Sequence, residues 1–136
     1  MTKQQITNLL YWAAFASLAL YFAYSRGWIM APFESITPQQ ARELLRERDN
    51  VSLLDVRTPE EFSQGHIEGS TLIPVQVLEA NLASLANVKD KKIIVYCRSG
   101  SRSVAASRIL QKHGFVPLNI RGGIAQWENE GLPVVR

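Results

Sequence analysis

The sequence predicts an α/β domain, a parallel sheet with helices on both faces, held behind a single transmembrane helix. Three patterns carry that expectation. Gln4 to Ser25 contains no charged residue. Beyond it, short β-branched runs such as Ile93-Ile94-Val95-Tyr96 alternate with segments of helical spacing, the order that builds strand–helix–strand units. That run is continuously apolar rather than alternating, as expected of a strand covered on both faces.

The uncharged stretch is about 33 Å long as a helix, against about 30 Å of bilayer hydrocarbon. Tyr21, Tyr24 and Trp28 cluster near its far end, where an interfacial aromatic belt lies. Residues 1–28 are therefore read as a transmembrane helix with its flanks, 29–35 as a linker containing Pro32, and 36–136 as the folded domain. A cleaved signal peptide is the alternative, with Lys3 as its basic region and Ala23-Tyr24-Ser25 as a small-x-small cleavage site. The apolar stretch is long for that role, and Trp12 and the tyrosines suit an anchor better.

Charge follows the same division. The chain carries +3, but Lys3 and Arg26 supply two of those charges. The remainder is nearly balanced and has no basic run longer than Lys91-Lys92, so the sequence predicts no nucleic-acid-binding face. Arg26, Arg42 and Arg46 follow the helix within about 20 residues, the distance over which positive charge sets orientation. Cys97 is the only cysteine, and an unpaired thiol fits a reducing compartment. The expected location is a bacterial inner membrane, single-pass, with the domain in the cytoplasm.

Along the domain, Thr37-Pro38-Gln39-Gln40 reads as a capped helix start, with the helix running to about Arg48. Val51 to Val56 is a buried strand. Thr58-Pro59-Glu60-Glu61 repeats the start signal for a helix ending at Gln64, and Gly65 to Gly69 is a turn. Thr71 to Pro74 is a brief strand, and Val77 to Leu85 has helical spacing. Ile93 to Tyr96 is a strand, Arg102 to His113 a helix stopped by Gly114, and Pro117 to Ile120 the last strand. Gly122-Gly123 opens a final helix that ends before Gly131.

Cys97 stands where a buried strand gives way to a helix, and ligands of open parallel sheets collect beyond such carboxyl ends. The loop after it is Arg98-Ser99-Gly100-Ser101-Arg102. Its small residues let successive backbone N–H groups turn inward around an anion, Gly100 tolerates positive φ, and the two guanidiniums add full charges. Such a loop favours the thiolate, the reactive form of cysteine.

Taken in order, Asp55-Val56-Arg57, Glu60-Glu61-Phe62, Gly65-His66-Ile67, Cys97 to Arg102, Gly122-Gly123 and Trp127 resemble the rhodanese-like domain of sulfurtransferases, over residues from about 35 to 135. The resemblance implies a three-layer α/β/α fold with a mostly parallel sheet of about five strands. It implies a two-step transfer in which Cys97 takes the outer sulfur of a small anionic donor such as thiosulfate, becomes a persulfide, and passes that sulfur to a thiol, cyanide or protein acceptor. Arg98 and Arg102 would steer the donor and stabilise the thiolate, while the Ser99, Gly100 and Ser101 amides would hold the persulfide. No cofactor is implied.

Other chemistries fit less well. Cysteine phosphatases also cradle an anion between Cys and Arg, but with five intervening residues where this loop has four. A dithiol oxidoreductase needs a resolving cysteine, and one cysteine cannot form a cysteine-based zinc site. A membrane-tethered binding or sulfur-delivery module with little turnover is the reading from another class. Asp55 and Arg57 are expected to brace the loop through an ion pair. His66 is read as a packing or hydrogen-bonding residue, His113 as a helix-end residue and Trp127 as a core or interface residue.

Overall fold

The computed structural model describes residues 1–47 and 50–136. A helix, α1 (Lys3–Ser25), precedes a five-stranded sheet built from β1 (Glu34–Ile36), β2 (Val51–Asp55), β3 (Thr71–Leu72), β4 (Lys92–Tyr96) and β5 (Val116–Ile120). The strand order is β1-β5-β4-β2-β3, and neighbouring strands all pair in parallel. Helices α2 (Pro38–Leu45), α3 (Pro59–Gln64), α4 (Val75–Leu78) and α5 (Ser101–Lys112) connect the strands, and α6 (Gly123–Asn129) follows β5.

Strand parity divides the core into two layers. Ile94 and Tyr96 face one way, with Ala41, Leu118, Ile120 and Trp127. Ile93, Val95 and Cys97 face the other, with Leu78, Ala106, Leu110 and Phe115. Because side chains alternate along a strand, Ile93 and Val95 fix the face on which Cys97 emerges, and that face is the one α5 covers.

The helix starts follow their sequence signals. Thr37 accepts from Gln40 N at 3.2 Å while its own N–H donates to Gln40 Oε1 at 2.9 Å. Thr58 and Glu61 repeat the reciprocal cap at 3.2 and 3.3 Å. Gly114 follows α5 with φ +84°, the left-handed conformation that ends a helix. Helix α2 ends at Leu45; Arg48, its expected end, lies outside the described residues.

Two expectations need correction. Glu34 and Ser35, read as linker, belong to β1 and pair with Leu118 and Asn119. A three-residue edge strand is too short to show a period. The segment read as one helix over Val77–Leu85 is instead α4 followed by 3₁₀ turns over Glu79–Val88, with Asn81 at φ −116°, ψ 18°. The Asn81 amide donates to Val77 O at 2.7 Å, and this local bond competes with continued α-helix.

Helix α1 buries none of its residues. Among the described residues it is the one helix long and apolar enough to cross a membrane. Its C-terminal end docks on α5: the Arg108 guanidinium donates to the carbonyls of Tyr24 (2.7 Å), Ile29 (3.1 Å) and Met30 (3.3 Å). Gln111 Nε2 donates to Pro32 O at 2.8 Å.

Candidate active site around Cys97

Cys97 is 1% exposed. Gly100 N–H donates to its Sγ at 3.0 Å, and the thiol donates to Ser103 Oγ at 3.4 Å. Ser103 Oγ in turn donates to Gly100 O at 3.1 Å. Gly100 is the N-cap of α5 at φ +116°, a conformation that favours glycine. The next N–H groups, those of Ser101, Arg102 and Ser103, begin the helix and have no backbone acceptor among the described residues. The sulfur therefore sits at the positive end of a helix with free donors beside it, an arrangement that holds an anion.

The loop is braced from behind. Ile124 N–H donates to Cys97 O at 2.8 Å and Ala125 N–H to Arg98 O at 3.0 Å, so the first turn of α6 satisfies two carbonyls of the loop. This contact explains Gly123, whereas a Cβ on Gly122 would meet Gln126 Cβ at 2.6 Å. A Cβ on Gly123 would lie 2.5 Å from both of those carbonyl oxygens.

Arg102 is not free. Its Nη1 and Nη2 donate to Glu61 Oε1 and Oε2 at 2.6 and 2.9 Å. Those hydrogen bonds pull the Glu61 carboxyl down to about 2 and raise Arg102 above its ordinary value. Arg98 is exposed and has no carboxylate partner among the described residues. Its side chain borders a cleft of about 190 Å³ that also includes Arg57, Glu61 and Glu128. Ser99 and Ser101 are exposed on the loop.

Asp55 and Arg57 form the expected ion pair, both buried, with Arg57 Nη2 2.6 Å from Asp55 Oδ2. Its further contact is Arg57 Nη2 to Gly65 O at 2.8 Å, so the pair ties β2 to the turn after α3. Among the described residues neither side chain hydrogen-bonds to the Cys97–Arg102 loop. Beneath it, Tyr96 OH accepts from Ile67 N at 3.1 Å and donates to Ser70 Oγ at 3.0 Å, and burial pushes its phenol well above the ordinary range. His66 stacks on Phe62 at 3.7 Å, His113 pairs with Glu79 at 3.2 Å, and Trp127 Nε1 donates to Pro133 O at 2.9 Å.

Two residues of the site escape a reading of the sequence. Glu61 is already accounted for as the cap of α3, and one motif carries both roles. Ser103 sits in the first turn of α5, where nothing in its spacing sets it apart from an ordinary helix serine.

A sheet of parallel strands delivering a cysteine to the N-terminus of a helix defines a class, and comparison with known proteins identifies it. The Rhodanese-like domain family model matches residues 37–130. The chain belongs to the rhodanese-like family. A sulfurtransferase of Allochromatium vinosum is 36% identical over 101 residues, covering 74% of this chain and 92% of that protein. The crystal structure of a rhodanese-related protein from Thermoplasma volcanium superposes with a TM-score of 0.67 at 36% identity, over 76% of this chain and 98% of that one. A thiosulfate sulfurtransferase from Pseudomonas aeruginosa matches with a TM-score of 0.69 at 25% identity, over 76% of this chain and 20% of that one. Several other curated relatives are much longer, and this chain spans about a quarter of their length (23–26%). These relationships support sulfurtransferase activity at the level of the family.

Proposed function

We propose that this chain is a membrane-anchored sulfurtransferase that carries sulfane sulfur on Cys97. The Cys97 thiolate attacks the outer sulfur of thiosulfate. A new S–S bond forms, the old one breaks, and sulfite leaves with the bonding electron pair. An acceptor thiolate or cyanide then attacks the outer sulfur of the persulfide, and the Cys97 thiolate departs. The observation that carries this reading is the Gly100 N–H to Sγ contact at 3.0 Å, set beside the free amides that open α5. A persulfide places its negative charge one atom further out, among those donors.

Helix α1 supports anchoring in a bacterial inner membrane. The lone cysteine and the arginines that follow the helix support a cytoplasmic domain. Arg98 is the cation left to steer the donor, since Arg102 is held by Glu61. Mass spectrometry after thiosulfate treatment is expected to show about +32 Da on the Cys97 peptide, removed by cyanide or a thiol, because the retained sulfur marks covalent transfer. Cys97→Ser is expected to abolish transfer and keep the fold. Retained transfer in that variant, or no adduct with any sulfane-sulfur donor, overturns the proposal.

A further inference from the structure

On the side of the Cys97 loop that faces α1 lies a second cleft, of about 380 Å³. Phe22 and Trp28 form one wall, with ring centroids 5.5 Å apart in edge-to-face contact. Arg26 and Arg121 bring two guanidiniums, and among the described residues no carboxylate lines the cleft. The cleft beside Arg98 differs, since two carboxylates, Glu61 and Glu128, line it along with its two arginines. Asn119 also lines the α1-facing cleft. It is 3% exposed, its Nδ2 donates to Ser35 Oγ at 3.4 Å, and its Oδ1 is buried without a partner among the described residues. A buried acceptor left unpaired is costly, and a ligand donor entering the cleft would satisfy it.

The cleft's position narrows what fills it. Phe22 belongs to the last turn of α1, and Arg26 caps that helix. If α1 spans the bilayer, as the proposed function holds, the cleft lies at headgroup depth. We infer that it binds the headgroup of an anionic glycerophospholipid. The phosphate diester sits between Arg26 and Arg121, a headgroup hydroxyl donates to Asn119 Oδ1, and an acyl chain leaves along Phe22. Arg26 Nη1 also donates to Ser99 O at 3.0 Å, so the residue that meets the phosphate also touches the Cys97 loop.

The test uses the full chain in detergent micelles and native mass spectrometry. Phosphatidylglycerol, phosphatidylcholine (a phosphate with no hydroxyl or N–H donor) and glycerol 3-phosphate (a phosphate with no acyl chain) are titrated separately. The expected order is phosphatidylglycerol roughly tenfold tighter than phosphatidylcholine, with glycerol 3-phosphate weakest. Arg121→Gln, an exposed position, is expected to weaken phosphatidylglycerol roughly fivefold, and Arg26→Gln by a similar factor. Equal binding of the two lipids, or no loss in either variant, overturns the inference. Glycerol 3-phosphate binding as tightly as the lipid overturns it in favour of a soluble phosphate ester. Carbonate extraction of cell membranes separates the two readings. Release of the chain without detergent overturns anchoring and this site together, whereas retention without lipid preference overturns this site alone.

Discussion

Arg102 reaches back 41 positions in sequence to close a two-pronged ion pair with Glu61, at 2.6 and 2.9 Å. One carboxylate thereby does two jobs. It caps α3 through Thr58 and holds the last residue of the Cys97 loop against that helix. Arg102 is thus fixed in place while much of its charge is offset.

The pair makes an acid-sensitive contact. Glu61 titrates at about 2 instead of the ordinary 4.5. A depressed carboxyl stabilises the fold fully above its unfolded value, and that contribution fades as pH falls from about 4.5 toward about 2. Glu61→Gln is expected to cost about 1 kcal/mol at pH 7, the modest scale of a partly exposed pair. Urea denaturation of both proteins at pH 7 and pH 3 checks this, and the gap should narrow at the lower pH. A gap of constant size would show that the charge is not what matters.

Gly123 tests the brace behind the loop. Gly123→Ala places a Cβ 2.5 Å from the carbonyl oxygens of Cys97 and Arg98, at a residue with φ +63°. Overpacking and left-handed strain together are expected to cost about 3 kcal/mol. Gly131 is the control. It has φ +74°, and a Cβ added there would meet no described atom within 4 Å, so Gly131→Ala should cost about 1 kcal/mol from strain alone. Equal losses in denaturation midpoint would mean that Gly123 is kept for its conformation and not for the close approach.

Ser103→Ala removes the acceptor for the Cys97 thiol and a donor to Gly100 O. Val104 N–H still reaches that carbonyl at 3.1 Å, so no buried acceptor is orphaned. Stability should fall by about 1 kcal/mol. The rate of sulfur transfer from thiosulfate should drop roughly fivefold if the hydroxyl orients the sulfur, by the same conversion of free energy to rate. An unchanged rate would leave Ser103 a packing residue.

What could be read from sequence was set by range. The capping boxes at Thr37 and Thr58, the stop at Gly114 and the buried β4 run were legible because their signals are local. The Cys97 loop was legible because its glycine, serines and arginines stand together. Edge strand β1 was not, since three residues gain their identity from pairing with Leu118 to Ile120 across the sheet. The Arg102–Glu61 pair and the contact of Gly123 with the loop were invisible for the same reason: each joins segments that meet only after the sheet forms. The break at Asn81 is different. Its cause is local, but a helix-like spacing of Leu78, Leu82 and Leu85 masked it.

The hold of α5 on the end of α1 supplies the last prediction. Arg108 donates to three carbonyls from Tyr24 to Met30, and its guanidinium lies 3.6 Å from the centroid of the Tyr24 ring. Stacking of this kind adds to the hydrogen bonds. Gly27 lies close to the same helix, where a Cβ would come within 3.0 Å of Val104 Cγ2. The segment 27–33 is thus a latched strap: Trp28, Ile29 and Met30 are exposed, but its hydrogen-bonded backbone must come away from α5 before a protease can take it in extended form. Loss of about 1 kcal/mol from the latch raises the open population roughly fivefold. Arg108→Ala, in the full chain held in lipid nanodiscs, should be cut by trypsin after Arg26 faster by about that factor. The denaturation midpoint of the domain should move little, because Arg108 is only partly buried and none of the sheet hydrogen bonds depends on it. Equal cleavage rates in the two proteins would show that the strap is held by its packing and that the arginine adds nothing to it.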